Sequence, residues 1–286
     1  MVQGDISDIP RLKAFLVAHR VRSVIHCAGK IDVAESVRYP ERYHRENVVY
    51  TQGVLELLHR LGIHELIFSS SCAVYGNPRF SPLTEEHPIA PVSPYGETKA
   101  AAEALLQRAT AEQKLRSVTL RFFNAAGADP QGNLGENHEP ETHLIPNVLA
   151  HLADGKPLSI FGNDYATPDG TCIRDYIHVW DLAEAHACAL RYLRAGGASD
   201  VFNLGNGRGY SVKEVIASAE AVVGTKARYR VQARRIGDPA ILVSGSHKAQ
   251  TLLGWKPERQ ALHTLVQDAW RFYRHGKYLS RLHDSA

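Results

Sequence analysis

A tyrosine and a lysine in the segment SPYGETK, Tyr95 and Lys99, have the spacing in this chain that best suits proton chemistry. On a helix, positions i and i+4 lie on one face, so the Lys99 ammonium can approach the Tyr95 phenol. A free tyrosine, with a pKa of about 10, is a poor base at neutral pH, and a neighbouring cation favours its phenolate. Ser71, which ends the run SSS after an apolar segment, can share the proton of an attacked alcohol. We therefore predict that Ser71, Tyr95 and Lys99 form a catalytic group.

The same tyrosine–lysine spacing also occurs in ordinary pairs on a helix surface. Here Pro94 stands where the helix would begin, and the serines 69–71 directly follow a strand pattern. These two features favour the catalytic interpretation over the surface pair.

Short apolar segments alternate with longer helical segments through the first half of the chain. Strand patterns cover 21–28, 64–69 and 117–123, and helical patterns cover about 41–61 and 94–113. This alternation predicts an α/β fold with a parallel sheet and right-handed crossovers. Since open parallel sheets bind ligands beyond the carboxyl ends of their strands, the polar residues that follow these strands are the candidates for a site.

Composition excludes several classes of protein. The 286 residues are 44% hydrophobic, and 33 Lys and Arg against 30 Asp and Glu leave a net charge of +3, too little for an electrostatic nucleic-acid binder. No apolar run approaches the roughly 20 residues that cross a bilayer, and no secretory leader is visible, so we expect a cytoplasmic protein. The four cysteines are widely spaced and the 15 histidines lack a helical H-x-x-x-H pair, so we expect neither disulfides nor a metal.

A set of segments in a fixed order makes the comparison with a known family specific. The chain resembles the UDP-glucose 4-epimerases (UDP-galactose 4-epimerases) of the extended short-chain dehydrogenase/reductase superfamily. The resemblance covers nearly the whole chain and rests on VIHCAG (24–29), ESV (35–37), ENV (46–48), FSSSCAVYG (68–76), SPYGETK (93–99), RFFNAAGA (121–128), IFGNDYATPDGTCIRDYIHVWDLAEAH (160–186), NLGNGRGYSV (203–212) and RRIGDPA (234–240).

The resemblance implies a fold, a cofactor and a reaction. It implies an incomplete Rossmann domain for NAD in residues 1–123 and a smaller α/β domain for the UDP-sugar mainly in 124–286, with some segments returning to the first domain. The implied reaction interconverts UDP-glucose and UDP-galactose through a 4-keto sugar. By resemblance, Tyr95 takes the proton of the 4-hydroxyl, Lys99 tunes Tyr95 and holds the nicotinamide ribose, and Ser71 bonds to the 4-oxygen.

The resemblance also implies binding residues, position by position. The implied cofactor contacts are Asp5, Ile6, Cys27, Ala28, Gly29, Asn47, Ser69, Tyr95, Lys99 and Phe123. The implied substrate contacts are Ser71, Tyr95, Asn124, His143, Leu144, Ser159, Ile160, Phe161, Arg174, Arg235 and Asp238. The planar donors of Arg174 and Arg235 suit a pyrophosphate, and a carboxylate such as that of Asp238 accepts from ribose hydroxyls. The alternatives are a salt bridge between Arg174 and Asp175, and core packing for Phe161.

The chain departs from the family pattern at its beginning. MVQGDISD matches the third strand of the family's nucleotide domain, so the sequence lacks the Gly-rich turn that would hold the pyrophosphate. Met1 stands where the family has an apolar strand residue, which fits a start codon placed inside a longer gene or a true truncation. The turn 205–209 is no replacement, because its spacing is G-x-G-x-G and it lies late in the chain. We expect these residues to have lost most NAD affinity and to expose a sheet edge.

Three further departures lie near the implied contacts. Lys30 and Ile31 occupy the stretch where the family often has a cofactor-binding lysine, and His143 stands where an asparagine is common. Leu242 stands where a tyrosine or a smaller residue lines the sugar pocket, which leaves open whether N-acetylated sugars fit.

Two competing functions stay open and one is disfavoured. A nucleotide-sugar dehydratase or decarboxylase needs an acid just after the active-site serine, where this chain has Cys72 and Ala73. A UDP-pentose 4-epimerase, or a non-catalytic nucleotide-sugar-binding remnant, would carry nearly the same motifs. The helices near 41–61 and 94–113 resemble those that form the family's dimer interface, so a homodimer is also expected.

Overall fold

The structure is a computed structural model that describes residues 2–235 and 238–283. Met1, whose predicted place is inside a strand, lies outside the described residues, and so do Ile236 and Gly237 of the segment RRIGDPA. Within the described ranges, no helix combines the length and the apolar character needed to cross a membrane.

Strands and helices alternate along the first half of the described chain, as predicted. The described strands are β1 (Ser23–His26), β2 (Glu65–Ser71), β3 (Arg116–Phe122), β4 (Asn124–Ala126), β5 (Leu158–Phe161), β6 (Ile173–His178), β7 (Asp200–Leu204), β8 (Gly209–Ser211), β9 (Tyr229–Gln232) and β10 (Ile241–Leu242). The described α-helices are α1 (Ile9–Ala18), α2 (Val33–Arg38), α3 (Pro40–His44), α4 (Tyr50–Arg60), α5 (Pro94–Ala111), α6 (Leu144–Asp154), α7 (Val179–Arg194), α8 (Val212–Val223), α9 (His247–Leu252) and α10 (Leu262–His283).

The main sheet has the strand order β1–β2–β3–β7, and all its strands run parallel. Its first three strands confirm those predicted near 21–28, 64–69 and 117–123. Leu66 and Ile67, neighbours in β2 that point to opposite faces of the sheet, are both fully buried, as expected for a parallel strand that is covered on both faces. The carboxyl ends of β1 and β2 therefore lie side by side at one edge of the sheet.

The helix predicted over 41–61 is interrupted by a π-helical turn at Arg45–Val49, which joins α3 to α4. Asn47 and Val48 in this turn are buried, whereas Val49 is exposed. A π turn inserts a residue into a helix and is frequent at functional sites. Here it places the Asn47 amide against the loop that follows β1.

The later part of the chain builds a second sheet and completes the first. β10, β6 and β4 form a sheet to which β8 adds antiparallel to β6, and β5 pairs with β9 separately. Helices α6, α8 and α10 pack around a core that includes Ile145, Val215 and Leu265. β7 pairs with β3, so a segment from the later part of the chain belongs to the main sheet.

A buried ion pair joins α5 to β3. The side chains of Arg121 and Glu103 are each only 4% exposed and lie 2.5 Å apart. Arg121 also donates to the Tyr75 hydroxyl at 2.9 Å, and its guanidinium lies 4.9 Å from the centre of the Tyr75 ring. Because a buried charge without a partner is costly, this network defines how α5 lies on the sheet.

Candidate active site

Ser71 lies at the carboxyl end of β2, where the strand leads into a 3₁₀ turn at Cys72–Tyr75. The Ser71 hydroxyl accepts a hydrogen bond from the Ala73 backbone N–H at 3.2 Å and so caps the turn. This local contact holds the serine oxygen at the sheet edge where open parallel sheets bind ligands.

Tyr95 lies in the first turn of α5, and that turn packs directly against the segment after Ser71. Ser93 caps the helix by accepting from the Gly96 N–H at 3.1 Å, and a proline occupies the first helical position. A glycine is required at 96, because a Cβ there would lie 2.6 Å from the Ala73 carbonyl oxygen. This close approach brings the Tyr95 phenol near the Ser71 side chain, which acts on the pKa of the phenol.

The backbone of Tyr95 is held by a residue to which the sequence assigned no role. The Tyr95 N–H donates to the Ser36 hydroxyl at 3.1 Å, and this hydroxyl donates to the Val33 carbonyl at 2.6 Å. Ser36 is fully buried in α2. The ESV segment (35–37) was the available signal, but nothing in the sequence shows that this serine reaches the start of α5.

The surroundings of Tyr95 oppose its ionisation in this structure. Burial raises the pKa of Tyr95 to about 12, although the Ser71 side chain acts in the opposite direction. Lys99 does not contribute to this pKa in the structure, and its ammonium donates to the Ser69 carbonyl at 2.9 Å. The ammonium also lies 5.0 Å from the centre of the Phe68 ring, and burial lowers the pKa of Lys99 to about 8. The catalytic roles of Ser71, Tyr95 and Lys99 stay predictions.

A thiol, a hydroxyl and an imidazole meet beside the ends of β1 and β2. The Ser69 Oγ lies 3.1 Å from the Cys27 Sγ and 2.9 Å from the His186 Nε2. Partial burial raises the pKa of the Cys27 thiol, but hydrogen bonds with His186 and Ser69 outweigh it, so this pKa lies below its ordinary value. Cys27 and Ser69 are predicted cofactor contacts, whereas His186 was missed because it comes from α7, far along the chain.

Asn47 clamps the loop that follows β1. Its Oδ1 accepts from the Lys30 N–H at 2.7 Å, and its Nδ2 donates to the Lys30 carbonyl and the Thr98 hydroxyl, each at 3.0 Å. A Cβ at Gly29 would lie 2.9 Å from the Asn47 Oδ1 and 3.8 Å from the Lys99 Nζ. The structure therefore brings together Gly29, Asn47 and Lys99, three of the predicted cofactor contacts.

The other predicted cofactor contacts lie in different surroundings. Ala28 is exposed in the same loop as Gly29. Phe123 is buried in a small apolar cluster at the end of the sheet. Asp5 is exposed before α1 and accepts from the N–H and hydroxyl of Ser7, while Ile6 packs at the border of the core around β2.

Arg174 on β6 forms an ion pair with Asp238. The alternative salt bridge, with Asp175, is not formed. Asp175 is fully buried and accepts from the backbone N–H groups of Asn206 at 2.8 Å and Ser244 at 3.1 Å. Two of the predicted substrate contacts are therefore in direct contact with each other.

Two more predicted substrate contacts form a stack. The Arg235 guanidinium lies 4.3 Å from the centre of the Phe161 ring, which is 37% exposed and so is not a core residue. Nearby, the buried hydroxyl of Tyr165 has no hydrogen-bond partner among the described residues, and the charges of Asp238 and Arg174 act on it. Tyr165 was missed by the sequence analysis, although it lies inside the long matching segment 160–186.

The remaining substrate candidates differ in what they can offer. Asn124 is half-buried, and its amide donates to a backbone carbonyl of β6 at 3.0 Å. Strand alternation exposes Ser159 and turns Ile160 into the core, so the predicted contact at Ile160 cannot come from its side chain. His143 precedes α6, and Leu144 packs against the second core.

Comparison with known proteins decides the family. The profile of the NAD dependent epimerase/dehydratase family matches residues 1–205. The UDP-glucose 4-epimerase of Halalkalibacterium halodurans is 46% identical over 272 residues, which cover 95% of this chain and 81% of that protein. The chain belongs to the UDP-glucose 4-epimerase family.

Solved structures of this family have the same fold. The UDP-glucose 4-epimerase of Brucella ovis in complex with NAD is 43% identical, with a TM-score of 0.92 over 95% of this chain and 84% of that one. The enzyme of Stenotrophomonas maltophila, with bound NAD and formylated UDP-arabinopyranose, is 37% identical, with a TM-score of 0.93 over 97% of this chain and 83% of that one. The predicted α/β fold and the resemblance to UDP-glucose 4-epimerases are confirmed.

The described residues of this family member fit the nicotinamide end of NAD. An ammonium group has three donors, and the hydrogen bond described for buried Lys99 uses one of them, at the Ser69 carbonyl. The others can serve the hydroxyls of a ribose. The exposed loop 27–29 has small side chains, so no bulky group of this loop covers the end of β1.

The Cys27 environment yields a test of this part of the site. We expect iodoacetamide to alkylate Cys27 fastest, because Cys72, Cys172 and Cys188 are buried and the lowered pKa of Cys27 raises its thiolate fraction at neutral pH. His186→Gln is expected to move the midpoint of the rate–pH curve to higher pH. Peptide mass spectrometry with the chain free of added NAD measures both, and exposed His59→Gln is the matched control. An unchanged midpoint in His186→Gln would contradict the assignment.

Proposed function

We propose that this chain interconverts UDP-glucose and UDP-galactose by NAD-dependent epimerisation at C4 of the sugar. The observation that carries the proposal is that the start of α5 packs against the segment after Ser71 and places the Tyr95 phenol close enough to the Ser71 side chain for Ser71 to act on its pKa. The Lys99 ammonium, at the Ser69 carbonyl, belongs to the same end of β2. Arg174 is close enough to Cys72, the residue after Ser71, for its charge to act on the thiol. We propose that Tyr95 and Ser71 exchange the proton between a cofactor held near Lys99 and a UDP group held near Arg174.

In this proposal, residues 1–123 mainly hold the cofactor and residues 124–286 mainly hold the UDP-sugar. NAD, when bound, supplies the acceptor and donor of the hydride that C4 loses and regains. Lys99 would hold the nicotinamide ribose, and Asn47 would hold the loop that contains Gly29 through its bonds to Lys30. If Cys27 lies under the cofactor, added NAD will slow its alkylation.

Tyr95 exchanges the proton of the sugar 4-hydroxyl. The phenolate oxygen takes this proton as the alcohol becomes a ketone, and the phenol returns it when the ketone is reduced from its other face. With a pKa of about 12, Tyr95 is protonated at neutral pH, so it needs a positive charge nearby to act as a base. Lys99, with a pKa of about 8, is charged at pH 7. We propose that its ammonium moves from the Ser69 carbonyl towards the phenol in the working site.

The UDP group stays anchored while the 4-keto sugar rotates in the site and presents its other face. Arg174 and Arg235 offer planar donors for the pyrophosphate, and the exposed face of Phe161 can stack on the uracil. Asp238 can accept from ribose hydroxyls. The hydroxyl of Tyr165, which has no partner among the described residues, supplies a further hydrogen bond. The sugar itself is then held only by contacts that permit rotation.

The first test is conversion of UDP-galactose to UDP-glucose with NAD added to saturation. Tyr95→Phe is expected to lower kcat by roughly 10²- to 10⁴-fold, because it removes the acid–base group and keeps the ring. Tyr229→Phe, at an exposed position on β9, is the matched control and should leave the rate unchanged.

Calorimetry with UDP separates the possible failures of this test. If the unchanged chain is active and Tyr95→Phe keeps that activity, the assignment of Tyr95 as the base is contradicted. UDP binding without turnover in the unchanged chain would favour the nucleotide-sugar-binding remnant. Faster turnover of a UDP-pentose than of UDP-galactose would favour the second candidate, to which the UDP-arabinopyranose derivative in the Stenotrophomonas structure gives support.

The proposed pyrophosphate contact can be tested by binding alone. Arg235→Gln removes a charge-assisted hydrogen bond worth about 1.5–3 kcal/mol, so UDP should bind roughly 10- to 100-fold more weakly. Arg230→Gln removes the same charge from an exposed position on the adjoining strand β9 and is the control. Equal weakening in both variants would show a general charge effect and would exclude a specific contact.

We also propose that the chain forms a homodimer. Val37 and Val49 project from α2 and the π turn and are exposed, as is Tyr39 between α2 and α3. Sedimentation velocity should find twice the chain mass of 31.6 kDa, and Val49→Asp should shift the species towards the monomer. Exposed Val231→Asp, on β9, should not. A monomeric unchanged chain would refute this proposal.

A cytoplasmic location stays a prediction, which cell fractionation tests.

A further inference from the structure

The loop between β4 and α6 gathers two imidazoles and two carboxylates at one point. The ligand atoms of Glu136, His138, Glu141 and His143 all lie within 4.8 Å of one another. The Glu136 Oε1 lies 3.0 Å from the His138 Nδ1 and also pairs with the His143 Nδ1. The Glu141 Oε1 lies 3.8 Å from the His138 Nδ1. Four groups that can coordinate a metal therefore converge from eight consecutive residues, 136–143.

The composition of this cluster suits a transition metal better than a hard cation. Ca²⁺ and Mg²⁺ prefer oxygen ligands alone, whereas two imidazole nitrogens with two carboxylate oxygens suit Zn²⁺ in four-coordinate geometry. The two carboxylates also balance the charge of a divalent ion. The carboxylates are partly buried and the imidazoles are more exposed, so an ion can enter from solvent.

The cluster is held by the backbone around it. One Glu141 carboxylate oxygen accepts from the N–H groups of Thr142 at 2.7 Å and His143 at 2.8 Å. The Asn147 side chain in the first turns of α6 donates to the carbonyls of Glu141 at 3.2 Å and His143 at 2.9 Å. Such outer contacts orient ligands before the metal arrives, which lowers the cost of assembling the site. A bound ion would tie the loop to the beginning of α6.

We propose that Glu136, His138, Glu141 and His143 bind one divalent transition-metal ion, with Zn²⁺ as the best match. This inference does not depend on the proposed epimerase activity. It differs from the expectation of no metal, because that expectation looked for histidines spaced along a helix, and these ligands come from a loop.

The site is tested by titrating Zn²⁺ into the EDTA-treated full chain and recording the binding by calorimetry. We expect about one Zn²⁺ per chain and a higher melting temperature with the ion bound. Loss of an outer-shell partner weakens metal binding by roughly 10- to 100-fold, so His138→Gln and Glu136→Gln should each cost at least about tenfold. Both changes lie in a surface loop, so folding should survive, and circular dichroism checks this.

The same loop offers a matched control. Glu139→Gln removes an exposed carboxylate that is not part of the cluster and should leave Zn²⁺ affinity unchanged. Cys27→Ser tests the separate thiol–imidazole group of Cys27 and His186 as a source of the signal. The proposal is overturned if the chain binds no Zn²⁺, if Glu139→Gln weakens binding as much as His138→Gln, or if binding disappears only in Cys27→Ser.

Discussion

Helix α5 can present Tyr95 at the end of β2 only because the charges it buries find partners on the sheet. The Lys99 ammonium meets the Ser69 carbonyl of β2, and one turn later the Glu103 carboxylate meets Arg121 of β3. A buried ammonium or carboxylate without such a partner would be strongly destabilising. These two contacts together set both the position and the rotation of α5. The face that carries Tyr95 is thereby turned towards the sheet edge.

A buried carboxylate has a corresponding role in the second sheet. Asp175 accepts backbone N–H groups of Asn206, Gly207 and Ser244, so it joins β6 to two later loops. Burial raises the pKa of Asp175 to about 6. Because neighbouring residues on a strand point to opposite faces, Arg174 is turned the other way and pairs with Asp238. One strand thus supplies both a buried structural anchor and a cation that pairs with a later segment of the chain.

The groups with the most unusual surroundings come from distant or irregular segments. His186 of α7 reaches Cys27 and Ser69 across the end of the main sheet. The His138 and His143 imidazoles converge through the loop before α6. Neither arrangement follows a helical or strand period, so a search for regular spacing passes over both.

The strands near 21–28, 64–69 and 117–123 and the helix starting at Pro94 could be predicted from the sequence, because apolar periodicity and helix caps are local properties. The family could be recognised for a related reason, since its motifs are contiguous segments. Tertiary structure alone decided that the pKa of Tyr95 is raised, because burial acts on the phenol while the Lys99 ammonium bonds to the Ser69 carbonyl. It also decided that Ser36 holds the backbone of Tyr95. These outcomes depend on desolvation and on contacts between residues far apart in the chain, and no local pattern encodes either.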